Sequence, residues 1–169
     1  MADEKKLVLD SVRVQQTLQR MAHQIVEEFF HEPSIILVGI ESRGSKVAEL
    51  IHKYILEIKE APASSLFHLT IDNENLFDGD YKLTTSLDNL NGKSVILIDD
   101  VLNSGKTLMY ATRYLLGAEI NRMSTAVLVD RRHRSYPIRA DMAGLTLSTT
   151  LQNHISVEFH NGETSVYIQ

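Results

Sequence analysis

The chain's 169 residues fit one domain spanning 1–169, and its 43% hydrophobic and 23% charged fractions are those of a globular protein that buries a core without staples. The absence of cysteine excludes disulfides, thiolate nucleophiles and thiolate-held metals, and fits a reducing compartment. A net charge of -5 has the wrong sign for a general nucleic-acid binder, and the polar start MADEKKLVLD, with no apolar run near the ~20 residues of a membrane span, leads us to expect a cytoplasmic protein with no membrane partner.

Val14, Leu18, Met21, Ile25 and Phe29 recur at spacings of three and four, which predicts an amphipathic helix over 10–30. Asp10 or Ser11 can cap its start, and Pro33 follows its end. Ser34–Ile40 (SIILVGI) is a short apolar run of the kind buried on both faces in a parallel sheet. The turn Glu41–Gly44 (ESRG) comes next, then a helix over 45–56 with Val47, Leu50, Ile51, Tyr54 and Ile55 at helical spacing. A strand is expected over 63–71. The polar stretch 72–91 reads as a long loop with a hairpin at 81–85, and loops of that length are usually functional or disordered. Lys93–Ile98 (KSVILI) is the strongest strand signal, followed by a loop over 99–105 and a helix over 106–116. Another strand is predicted over 124–129, then an Arg-rich connection over 130–139. In the tail, strand-like pieces at 155–159 and 164–168 flank Asn161-Gly162, a hairpin dipeptide. Strands alternating with helices predict an α/β fold with a mainly parallel sheet, which binds ligands beyond the carboxyl ends of its strands. Both ESRG and DDVLNSGKT fall at such ends.

Asp99 and Asp100 directly follow a buried strand. Adjacent carboxylates there repel and lose hydration, so they call for ligand hydroxyls, a metal or a nearby cation. Asn103, Ser104, Gly105, Lys106 and Thr107 then open a helix. Glycine lets successive N–H groups converge, the helix start adds partial positive charge, and Ser104 and Thr107 supply hydroxyls. This is a phosphate cradle beside two carboxylates, which suits a ribose 5-phosphate. The bland reading is a helix cap, which accounts for paired Asp residues but not for the whole segment. It is not a Walker loop, because only Gly105-Lys106-Thr107 fits the end of that pattern.

VILIDDVLNSGKT resembles the 5-phosphoribosyl-1-pyrophosphate (PRPP) signature of type I phosphoribosyltransferases. LDSVRVQQTLQRMAHQIVE, GIESRGSKVAELI and LVDRRHRSYPIRADMAG further resemble the pyrimidine-operon attenuator family, whose members double as uracil phosphoribosyltransferases. The resemblance implies a type I phosphoribosyltransferase-like fold: a mainly parallel twisted sheet flanked by helices, with a small C-terminal hood. It implies that Asp99 and Asp100 hold the ribose hydroxyls, with Val101 and Leu102 beside them, while Asn103–Thr107 hold the 5-phosphate. Glu41, Ser42, Arg43 and Gly44 would face the diphosphate, with Arg43 aiding catalysis. Ile138, Arg139 and Ala140 would frame uracil through backbone groups, with Asp130, Arg131 and His133 at the edge. Two departures stand out. Leu69-Thr70-Ile71-Asp72-Asn73 replaces a Tyr-Arg-Asp-Asp type sequence, and Arg132 stands where the family has glycine.

The implied reaction converts uracil and PRPP to UMP and pyrophosphate, with Mg²⁺ as cofactor, held near Asp99 and Asp100 mostly through substrate and water. A pyrimidine-regulatory role and a homodimer or larger homo-oligomer are implied with it. A purine salvage enzyme is the alternative, although no lysine follows Lys106 to serve a purine pocket. A nucleotide-sensing RNA-binding regulator is the alternative of another class. It requires a basic face, for which Arg13, Arg20 and Arg113 are the candidates.

Overall fold

A computed structural model describes residues 5–150 and 152–169. The elements in chain order are β1 (Lys6–Leu9), α1 (Ser11–Glu28), β2 (Ser34–Ile40), α2 (Arg43–Glu57), β3 (Ala63–Ile71), β4 (Tyr81–Leu83), a 3₁₀ turn (Leu87–Leu90), β5 (Ser94–Leu102), α3 (Lys106–Leu115), β6 (Arg122–Asp130), β7 (Met142–Thr146), β8 (Ile155–His160) and β9 (Glu163–Ile168).

Six strands form one sheet in the order β4-β3-β2-β5-β6-β7. All neighbours are parallel except β3 and β4. The pleat splits the strand residues between two cores. Ile35, Leu37, Ile96 and Ile98 face the side covered by α1 and α2, while Ile36, Val38, Val95 and Leu97 face the side covered by α3. Burial on both faces is why these strands read as continuous apolar runs. From β2 the chain crosses through α2 to β3 on one side, and from β5 it crosses through α3 to β6 on the other. The β2–β5 pair is therefore the switch point of the sheet, where a crevice opens beyond the carboxyl ends.

Several boundaries differ from the sequence reading, each for a pairing reason. β5 continues through Asp99–Leu102, because Val101 and Leu102 still pair with Val129 and Asp130 of β6. α2 begins at Arg43, so ESRG divides into a two-residue turn and the first residues of a helix. β7 was not foreseen. It carries no clean alternation and exists by pairing parallel to β6. The stretch 72–91 is built rather than open. Asp72 accepts from the backbone N–H of Glu74 (3.0 Å), Gly79 N–H donates to the carbonyl of Asn75 (2.7 Å), and β4 returns along β3.

The hood is not purely C-terminal. It is a three-stranded antiparallel sheet in the order β1-β9-β8, so β1 from the start of the chain forms one edge. The Asn161-Gly162 turn has φ of 50° and 80°, the left-handed pair that this hairpin type needs. Ile155, Val157 and Val166 of this sheet join the same core as α1 and α2.

Gly39 sets how closely α2 approaches β2. A Cβ there would lie 2.7 Å from Ser45 Cα and 2.8 Å from Ala48 Cβ, while Ser45 Oγ donates to the Gly39 carbonyl at 3.1 Å. Gly39→Val is expected to lower stability by about 1–3 kcal/mol through overpacking. The loss should be read as a lower urea midpoint at unchanged slope.

Candidate active site

Two loops converge at the switch point. The turn after β2 brings Glu41, Ser42 and Arg43, and the end of β5 brings Asp99 and Asp100. Together with Asn73 they line a polar cleft of about 360 Å³. The Glu41–Ser42 peptide is cis. Glu41 is fixed by its N–H, which donates to the Leu69 carbonyl at 2.9 Å. Gly44 permits the approach of α2 to β5, because a Cβ there would meet Asp99 Oδ1 at 2.7 Å and Asp99 Cα at 2.9 Å.

Asp99 and Asp100 are half-buried. The Asp99 carboxylate accepts from the N–H of Asp100 at 2.9 Å. Protein atoms packed around Asp99 push its pKa well above the usual carboxylate range, and the neighbouring charge of Asp100 pushes it further. Part of its surface stays open to the cleft, so a cation or hydroxyl arriving there would favour the charged form.

Beyond the dyad, residues 103–107 enclose a small hollow of about 60 Å³. Gly105 has φ +83°, a left-handed conformation that costs glycine little. Ser104 Oγ accepts from Lys106 N–H at 3.2 Å and so closes the loop on itself. A Cβ on Gly105 would lie 2.7 Å from Ile138 Cγ2. The Ser104 carbonyl also accepts from the N–H groups of Ser135 (2.9 Å) and Tyr136 (3.1 Å). The Arg-rich connection is thereby clasped to the cradle.

The structure sorts the residues of that connection. Ile138 lies against Gly105. The Arg139 carbonyl accepts from Thr125 Oγ1 at 2.7 Å, and Asp141 accepts from Thr125 N–H at 2.9 Å, which pins Arg139 and Ala140 beside β6. Asp130 is buried and accepts from Arg132 N–H (2.9 Å) and the Arg134 guanidinium (2.6 Å). Arg131 is buried too, and the loss of water around it lowers its pKa. Its guanidinium donates to Asn103 and Thr149, and the His133 ring meets the Thr149 carbonyl. Asp130, Arg131 and His133 are thus engaged with protein partners. Arg132 has φ +58°, left-handed in a residue with a Cβ.

Sequence reasoning missed a second cleft of about 580 Å³ that shares Ser42 and Arg43 with the first. Lys46 of α2 and Glu158, His160 and Tyr167 of the small sheet line it. Lys46 had a visible signal, one helical turn beyond Arg43. The small-sheet residues had none, since only folding brings them to α2. The candidate basic face does not assemble. Arg13 and Arg20 lie on α1 and Arg113 on α3, on opposite sides of the sheet. Arg20 donates to the Gly144 carbonyl (2.6 Å), and Arg113 lies 5.5 Å from the Phe77 ring centre.

The phosphoribosyl transferase domain family matches residues 7–163, which contain both loops and the dyad. This chain belongs to that family. Among curated relatives it is similar to the bifunctional protein PyrR of Haemophilus ducreyi, 38% identical over 96% of this chain and 95% of that one. It is also similar to PyrR of Actinobacillus pleuropneumoniae, at 35% over 97% and 96%. Among solved structures, a hypoxanthine phosphoribosyltransferase of Trypanosoma cruzi superposes with a TM-score of 0.76 at 13% identity, covering 95% of each chain. One from Staphylococcus aureus gives 0.73 at 19%, covering 86% of this chain and 80% of that one. At such identities these two show the family's fold. Among the described residues no helix is long and apolar enough to cross a membrane.

Asp99 offers a stability test. With its folded pKa above the unfolded value, its contribution is fully present below about pH 4 and is lost as pH rises through the raised value. Asp99→Asn is therefore expected to raise the melting temperature of the ligand-free protein at neutral pH, with the gain shrinking towards acid pH. Arg132 offers another. Arg132→Gly removes the left-handed strain and should hold or raise the melting temperature. Arg132→Val should lower stability by about 1–2 kcal/mol.

Proposed function

We propose that this chain transfers the 5-phosphoribosyl group of PRPP to a nucleobase, and that the base is uracil. The observation that carries the reading is the placement of an acidic dyad between two anion-adapted loops at one switch point. Ribose hydroxyls match Asp99 and Asp100, the 5-phosphate matches the hollow at 103–107, and the diphosphate matches Ser42, Arg43 and the start of α2. The two loops offer N–H groups, a helix start and Arg43 to the anionic groups, while the carboxylates accept hydrogen bonds from the neutral hydroxyls.

In the reaction a base nitrogen forms a bond to C1 of the ribose while the bond from C1 to the pyrophosphate oxygen breaks. Positive charge grows on the ribose ring and negative charge on the leaving group. Arg43 and the N-terminal end of α2 face that leaving group and stabilise its charge. The carboxylates fix the ribose so that C1 meets the base, which removes an entropic part of the barrier. Asp99 and Asp100 fit a Mg²⁺ that keeps several waters and substrate oxygens. Among the described residues no cluster of three or more His, Asp or Glu forms a full protein cage. When bound, such an ion supplies charge neutralisation to the diphosphate.

Uracil as the base is supported by the segment Ile138–Ala140. It is pinned through Thr125 and Asp141 next to the cradle, where backbone groups can read the edge of a pyrimidine. The likeness to PyrR supports the same choice, and a pyrimidine-regulatory role with it. We further propose a homo-oligomer working in the cytoplasm.

The test is nucleotide formation from PRPP and Mg²⁺ with a panel of uracil, hypoxanthine, guanine and xanthine. Uracil is expected to give UMP at the highest kcat/KM, and a preference for a purine would reject the base assignment. The Asp99→Asn, Asp100→Asn double variant is expected to lose at least about tenfold in PRPP affinity, as charge-assisted bonds are removed. Undiminished PRPP binding would show that the dyad does not hold the ribose.

A further inference from the structure

Arg131 reaches two places far apart in the chain. On one side its Nη1 donates to Asn103 Oδ1 at 3.1 Å, and Asn103 is one of the residues that line the hollow. On the other, Nε and Nη2 donate to Thr149 Oγ1 at 3.2 and 3.1 Å, and Nη2 donates to the carbonyl of Asn153 at 2.5 Å. The next residue, His154, exchanges backbone hydrogen bonds with Gln169 at 2.8 and 2.9 Å, just past the end of β9. Arg131 as a residue is 4% exposed, and among the described residues no carboxylate forms an ion pair with its guanidinium. A buried cation with neutral partners alone keeps an uncompensated charge. Arg134, its neighbour in the connection, has Asp130 for that purpose.

We infer that Arg131 is a positioning residue that couples the filling of the phosphate cradle to the ordering of the small sheet. The inference rests on the reading of 103–107 as the 5-phosphate loop. Asn103 lines the hollow and Arg131 stands behind it, so an anion in the hollow acts on the buried guanidinium across Asn103 and offsets part of its charge. It holds Asn103 against Arg131, and Arg131 in turn holds the carbonyl of Asn153 and the start of β8. Because β8 and β9 carry Glu158, His160 and Tyr167 into the second cleft, the phosphate end of the substrate would set the wall facing its diphosphate end. Coupling of this kind is reciprocal, so ordering the small sheet also tightens the cradle.

The experiment uses the full chain, with ribose 5-phosphate as the probe. It measures affinity by titration and backbone hydrogen exchange over 152–169 with and without the probe. In the unaltered protein, binding is expected to slow exchange over 152–169. Arg131→Gln should weaken binding at least about fivefold and abolish that slowing. Arg131→Lys should recover affinity but not the slowing, since an ammonium supplies charge without a planar fork that bridges both sides. Asn103→Ala keeps the buried arginine and cuts the link on the cradle side, so it decides the matter if Arg131→Gln fails to fold. It too should abolish the slowing. Slowing that persists in Asn103→Ala, or an unaltered protein that binds the probe without any slowing, overturns the coupling alone. An unaltered protein that binds no ribose 5-phosphate overturns the phosphate-loop reading, and the coupling with it.

Discussion

The contact between Gly44 and Asp99 is the constraint on which the rest of the site depends. Because residue 44 has no side chain, the first turn of α2 packs directly on the backbone of β5. That places the positive end of a helix beside two carboxylates and shields Asp99 from water. The same closeness that makes Asp99 costly to ionise in the empty protein leaves it suited to hydroxyls and cations. The dyad therefore carries an electrostatic cost within the fold, the kind of perturbation that clusters at functional sites.

Charge is distributed with the same economy. The arginines of the 130–139 connection are not a loose basic patch. Arg131 is buried against neutral oxygens, Arg134 is paired with Asp130, and Arg139 is exposed with its carbonyl tied to Thr125. The side chains of Arg131 and Arg134 thus serve to hold loops in place. Arg43 and Lys46 give the second cleft its positive side chains. A protein of acidic net charge can thus still present a locally positive wall, because a few cations and helix termini are gathered at one place.

Local signals made much of this legible. Ser34–Ile40 and Ala63–Ile71 appear as strands with the expected bounds, because burial on both faces or close pairing leaves an apolar record in the chain itself. DDVLNSGKT is a single strand-loop-helix passage, so its chemistry and its geometry are encoded together. What could not be read depended on partners. β1 and β7 are short and acquire their strand character from β9 and β6. Glu158 and His160 reach the second cleft only because the small sheet packs beside α2. The charge of Arg131 was evident, but nothing in the local sequence says that Asn103 and Asn153 would share it.

The small sheet also constrains how the molecule is made. Lys6 pairs with Ile168, so the first strand waits for nearly the whole described chain before its partner exists. Pairings of such long sequence separation are entropically late and kinetically slow. The six-stranded sheet contains neither β8 nor β9, so it and both of its loops can assemble before the small sheet closes. The first cleft can thus take shape while the second still lacks the wall that β8 and β9 supply.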